Sequence, residues 1–115
     1  MSRRTPSKAH SGPAAHARVF AALGDETRLR LLGRLTSGEP QSIARLTEGS
    51  GLTRQAITKH LRVLEKTKLA RCVRSGRERH YALDPRPLVE LGEYLNQISQ
   101  TWDDRLAWLK ALVEE

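Results

Sequence analysis

A single cysteine, Cys72, rules out an intrachain disulfide in this 115-residue chain and fits a reducing cytosol. Aromatic residues are scarce: Phe20, Tyr81, Tyr94, Trp102 and Trp108 are the whole set. With apolar residues at 38%, one domain of this length has a modest core, which burial against a second copy would help to complete. No apolar run approaches the roughly 20 residues needed to span a membrane. The basic start, residues 1–16, has no hydrophobic segment behind it and reads as no secretion signal. The four histidines, His10, His16, His60 and His80, include no pair at metal-ligand spacing, so no metal is expected. The serines have no His-plus-acid companions. Gly49-Ser50-Gly51 lacks the preceding strand and following lysine of a phosphate loop. The expectation is a protein that is not an enzyme and carries no cofactor.

Positive charge is what the chain has in excess, and it is concentrated. The net charge is +7. Residues 53–80 hold nine Arg/Lys against Glu65 and Glu78, which equals that whole excess. The last segment, residues 81–115, holds three against seven acids. A compact basic segment is the electrostatic footprint of a nucleic-acid partner.

Spacing along the chain places that segment on a fold. Residues 1–13 are polar, basic and rich in turn formers, and read as a flexible tail. Residues 14–115 read as one DNA-binding and dimerisation domain. Its first helix runs from Pro13 to Leu23, with Ala15, Val19, Phe20 and Leu23 on one side, and Gly24 ends it. Asp25 caps a second helix from Glu26 to about Thr36, in which Leu29, Leu32 and Leu35 form an apolar stripe. Ser42 caps a short helix, Gly49-Ser50-Gly51 breaks it, and Thr53 caps a longer one with Ile57, Leu61 and Leu64 inward. A short helix, a tight glycine turn and a longer helix form a helix-turn-helix over 42–67. Alternation over 70–83 around Ser75-Gly76-Arg77 predicts a two-stranded basic hairpin, in which Cys72 is a small buried hydrophobe. The segment 86–113 is one long helix with a heptad seam: Leu88, Leu95, Trp102 and Leu109 in one line, and Leu91, Ile98 and Leu112 in the other, interrupted by Arg105.

The fold class is therefore mainly α (α+β): a winged helix-turn-helix with a two-stranded β-hairpin wing and a long C-terminal dimerisation helix. The expected partners are double-stranded DNA and a second copy of the chain, with no membrane. A helix fits the major groove, where base edges carry distinct donor and acceptor patterns. Thr53, Arg54, Gln55, Thr58 and Lys59 are the candidate readers. Arg54 suits guanine, Gln55 adenine, and Thr58 a thymine methyl or a phosphate. His60 and Arg62 are candidates for backbone contacts. In the wing, Arg74, Arg77, Arg79 and His80 suit phosphates or a narrow minor groove. The candidate dimer interface is Val19, Phe20, Leu88, Leu91, Leu95, Ile98, Trp102 and Leu109.

Three runs in this order resemble a known family. They are Leu23-Gly24-Asp25-Glu26-Thr27-Arg28-Leu29-Arg30-Leu31-Leu32, then Leu52-Thr53-Arg54-Gln55-Ala56-Ile57-Thr58-Lys59-His60-Leu61-Arg62-Val63-Leu64-Glu65, then Leu69-Ala70 with Gly76-Arg77-Glu78-Arg79-His80-Tyr81-Ala82-Leu83. Together they resemble the ArsR family of bacterial winged-helix regulators over roughly residues 14–98. The resemblance implies a homodimer built on the first and last helices, acting as a repressor on a palindromic operator in the bacterial cytoplasm, at the nucleoid. Many members answer to an inducer, which this sequence does not name. Metal-sensing members carry a cysteine pair before the turn and Asp/His and Glu/His ligands on the last helix. Here residues 39–48 contain no cysteine and no histidine follows His80. Trp102-Asp103-Asp104-Arg105-Leu106 instead resembles a non-metal-sensing branch, where a tryptophan-bearing final helix extends the dimer contact. Two other readings stay open: a helical protein-interaction adaptor with an incidental basic patch, and a non-specific nucleoid DNA-binding protein.

Overall fold

The structure, a computed structural model, describes residues 12–114. Most of the expected tail over 1–13 lies outside them. Helix α1 spans Pro13–Leu23, the bounds expected, with Gly12, the other described residue of the expected tail, as its N-cap. A proline has no N–H to leave unbonded at the first helical position. Helix α2, Glu26–Arg34, follows at once because Asp25 caps it, accepting the Arg28 backbone N–H at 3.1 Å. The chain then turns through Gly38 (φ 86°), adds strand β1 (Gln41–Ser42) and enters helix α3 (Ile43–Thr47). Ser42 caps α3 through its hydroxyl, which accepts from the Arg45 N–H at 3.1 Å. Helix α4, Arg54–Lys66, is capped by Thr53. Strands β2 (Ala70–Ser75) and β3 (Glu78–Leu83) form the hairpin, and helix α5 runs unbroken over Arg86–Val113.

The core is built by the 3.6-residue period. Leu31, Leu32, Leu35, Leu46, Ile57, Leu61, Leu64 and Leu69 are buried together, with Tyr81 of β3 beneath them. The stripe expected on α2 is corrected: Leu29 is 53% exposed, and Leu31 takes its place beside Leu32 and Leu35. A three-residue spacing rotates by about 60° per step on a helix, so Leu29 and Leu35 cannot share a narrow face. Leu52, which follows the glycine turn, is 39% exposed.

The sheet has three strands in the order β1-β3-β2. The hairpin register sets Arg74 opposite Arg79 and Cys72 opposite Tyr81. The two-stranded hairpin expected over 70–83 is present, and a short edge strand that was not expected adds to it, pairing Gln41 with Tyr81 and Ser42 with His80. Two residues carry no alternation, and their pairing arises only because α3 is packed beside β3.

The candidate dimer residues divide. Leu91 is buried in the protomer's own core, with Leu88 and Val19 packed against it. For Leu91 this corrects the expectation of an interface role, since its side chain is already covered within one chain. Beyond Tyr94, which stacks on His16 of α1, α5 leaves the rest of the fold, and no residue from Leu95 to Glu114 is buried.

Candidate nucleic-acid interface

Residues at the α2 ends hold the helix-turn-helix in place. Arg28 donates from Nε to the Ala22 carbonyl at 2.6 Å, and its terminal nitrogen lies 3.2 Å from Nδ1 of His60 on α4. A guanidinium can only donate, which makes His60 Nδ1 the acceptor side of this contact. One side chain thus ties the end of α1 to the middle of α4. Arg34 does the same for α3: it donates to the carbonyls of Arg45 at 2.9 Å, Leu46 at 2.9 Å and Glu48 at 3.2 Å. Those carbonyls lie at the C-terminal end of a short helix, where a cation is favoured. Neither arginine was singled out as a site residue in the sequence. Their partners are distant carbonyls and a ring nitrogen, which carry no sequence pattern.

Ile57, Leu61 and Leu64 are fully buried, and that fixes which side of α4 faces out. At 100° per residue, Gln55, Lys59, Arg62 and Lys66 fall opposite Ile57, and all four are exposed. Thr53 and Arg54 are exposed at the helix start. Thr53 accepts the Ala56 N–H at 3.1 Å through its side-chain oxygen. Thr58 is half-buried on the flank, and its hydroxyl donates to the Arg54 carbonyl at 2.7 Å. His60 departs from the outward group, being turned toward Arg28 and Asp25. Lys66, not among the expected DNA-contact residues, continues the stripe one turn beyond Arg62.

The wing adds a second set. Arg74, Arg77 and Arg79 are exposed around the turn at Gly76 (φ 64°). Arg74 and Arg79 are cross-strand partners, and like charges directly opposite each other repel. His80 is half-buried, its Nε2 lying 3.0 Å from the Glu78 carboxylate. Of the expected wing residues, the three arginines share the open surface and His80 is engaged at its base. Among the described residues, no group of three His, Cys, Asp or Glu side chains converges as a metal site would require.

Comparison with known proteins bears on this arrangement. A helix-turn-helix domain model matches residues 23–73, the span from the end of α1 into β2. The chain is 31% identical over 97 residues to the HTH-type transcriptional regulator Rv2034 of Mycobacterium tuberculosis, covering 84% of this chain and 87% of that one. Among solved structures it is similar to an ArsR-like transcriptional regulator from Rhodococcus sp. RHA1, with a TM-score of 0.77 and 39% identity over 86% of this chain and 92% of that one. A homodimeric winged helix-turn-helix DNA-binding domain from Mycobacterium bovis shares the fold, with a TM-score of 0.63 at 20% identity over 87% of this chain and 91% of that one.

Proposed function

The chain belongs to the ArsR family of winged helix-turn-helix transcriptional regulators, DNA-binding proteins and not enzymes, and we propose that it acts as a homodimeric repressor on a palindromic operator. The observation that carries this reading is the fixed outward stripe of α4 beside the arginine wing. Arg54 and Gln55, with Thr53, Thr58 and Lys59 beside them, meet base edges in the first two turns, and Arg62 meets the phosphate backbone. Arg77 at the wing tip enters the adjacent minor groove, and a phosphate between Arg74 and Arg79 relieves their repulsion. His60 and His80, both engaged within the protein, position α4 and the wing rather than contact bases. Two copies place two such helices about 34–36 Å apart, one turn of duplex. The contact is made by Phe20 and the open face of α5 from Leu95 through Ile98 and Trp102 to Leu109. Action on DNA in the bacterial cytoplasm, at the nucleoid, follows from this reading. Among the described residues, no helix is long and apolar enough to cross a membrane.

The test is a titration of the full chain on the DNA upstream of its own gene, against a scrambled duplex, at several salt concentrations. Specific binding that persists at moderate salt is expected. Equal affinity for both duplexes identifies a non-specific nucleoid protein, and no binding at low salt identifies an interaction adaptor. Gln55→Ala is expected to lose about tenfold or more in specific affinity, as removal of a base-reading pair does, with little change on scrambled DNA. An unchanged specificity ratio refutes its reading role.

A further inference from the structure

At the C-terminal end of α4, where the outward stripe ends at Lys66, lies a cleft of about 510 Å³, bounded by α1, the end of α4 and the start of α5. Its volume is in the range of small-molecule sites. His16 and Asp84 are the two buried polar side chains among the described residues, and both line it. Asp84 is committed: Arg86 grips both its oxygens, at 3.0 Å from Nε and 2.7 Å from the terminal nitrogen, and the Arg86 backbone N–H binds it at 3.1 Å. That leaves Arg18, Lys66 and Lys68 against Glu90 around the opening. Cations are favourable at the C-terminal end of α4, which accounts for Lys66 and Lys68 but not for Arg18, brought from another helix.

Lys68 supplies an independent signal. Its φ is 67°, the one positive value at a non-glycine residue among the described residues. It closes α4 in a Schellman-type turn, with its own N–H on the Glu65 carbonyl at 3.0 Å and the Leu69 N–H on the Leu64 carbonyl at 2.9 Å. Glycine makes this turn without strain. A lysine held there keeps a charge at the cleft at a cost in backbone strain, as is seen where a strained residue serves a site. Across the cleft, Ala15, Val19 and Pro87 supply an apolar wall. His16 forms its floor, with its ring stacked on Tyr94 at 4.5 Å.

We propose that this cleft binds a small organic carboxylate with an apolar body. The carboxylate meets Arg18, Lys66 and Lys68, and the body lies on Ala15, Val19, Pro87 and the His16 ring. Apart from Lys66, which also ends the outward stripe of α4, the lining residues are none of those assigned to DNA, so the test needs no DNA. The full chain is titrated with benzoate and followed by 15N–1H correlation spectra, with benzyl alcohol and inorganic phosphate in parallel. Saturable shifts of the Val19, Lys68 and Arg86 amides are expected with benzoate and not with benzyl alcohol. Arg18→Gln/Lys68→Gln is expected to weaken them about tenfold or more. Lys68→Gly guards against a folding artefact: it relieves the turn, so the variant is expected to be at least as stable as the parent in urea and still to bind benzoate more weakly. The proposal is overturned by any of three results: no saturable shift with benzoate, equal binding of phosphate in the cleft, or shifts confined to Gln55, Lys59 and the wing. Undiminished benzoate binding in both variants also overturns it.

Discussion

Asp25 and Asp84 each organise a helix start, and each carboxyl is held below the ordinary carboxylate range. For Asp25 the main cause is the Arg28 backbone N–H that it accepts; for Asp84 it is the Arg86 side chain, opposed by burial. A folded pKa below the unfolded one stabilises the fold above the unfolded value, and that stabilisation is lost as pH falls through the folded one. Both groups therefore steepen the acid limb of the stability curve from about pH 4 downward. Asp84→Asn keeps the shape and one acceptor but removes the titration. It is expected to lower stability at neutral pH and to flatten the acid limb, as read from urea midpoints at neutral and acid pH. A variant with the parent's full acid loss contradicts the assignment. The Asp25 cap was legible in the sequence because capping is local: an acid between a glycine and a helical run. Arg28, Arg34 and the Asp84–Arg86 grip were not, since two of the three depend on tertiary neighbours and the third on a turn geometry with many sequence solutions. Tyr81 shows the same limit. Its place on the inner face of β3 was legible from alternation, but not that its hydroxyl would be buried without a hydrogen-bond partner among the described residues, nor that burial would push its pKa up.

At the scale of the element, the longest periods were read best. The bounds of α1 and α5 follow from Pro13, Gly24, Asp84-Pro85 and the heptad, and α4 follows from Thr53 with Ile57, Leu61 and Leu64. Strand β1 escaped because Gln41 and Ser42 are too few to alternate. The α2 stripe was misread because leucines three apart drift around a helix. The boundary with most bearing on function is the start of α4, where the reading residues sit in the first two turns. There Thr53 satisfies one of the N–H groups that a helix start leaves unbonded. Thr53→Ala is expected to cost about 1 kcal/mol of stability, the usual loss for such a cap. It is also expected to fray the turn carrying Arg54 and Gln55, so specific DNA affinity falls more than affinity for scrambled DNA. Thr53→Ser restores the acceptor and should recover both. Failure of serine to rescue would show that the methyl or a direct DNA contact, not the cap, is what Thr53 contributes.

At the scale of the molecule, the folded protomer leaves one long element without a partner. Helix α5 is 28 residues, about 42 Å at 1.5 Å per residue. Only its N-terminal part packs on the rest of the protomer, through Leu88, the buried Leu91 and Tyr94 stacked on His16. Beyond them Leu95, Ile98, Trp102, Leu106, Leu109 and Leu112 stay exposed on one side. So long an apolar stripe marks an association surface, and its heptad spacing suits a second α5. The alternating lines of the seam were legible in the sequence. The point where the helix leaves its own fold was not, because the same heptad serves the core first and the seam afterwards. Trp102→Ala/Leu109→Ala separates these two uses. Both side chains are open in the protomer, 58% and 49% exposed, so the helical circular dichroism of the folded chain is expected to persist. Dimerisation is expected to weaken by tenfold or more, the scale set by losing about 1.4 kcal/mol of apolar contact. Sedimentation equilibrium over a concentration series reads this directly. Specific DNA affinity should fall with it, because a lone protomer presents one reading helix to a two-part site, while affinity for scrambled DNA at low salt changes little. A double variant that stays dimeric at submicromolar concentration would refute the seam and would move the self-contact to another surface, with Phe20 of α1 the next to be tested.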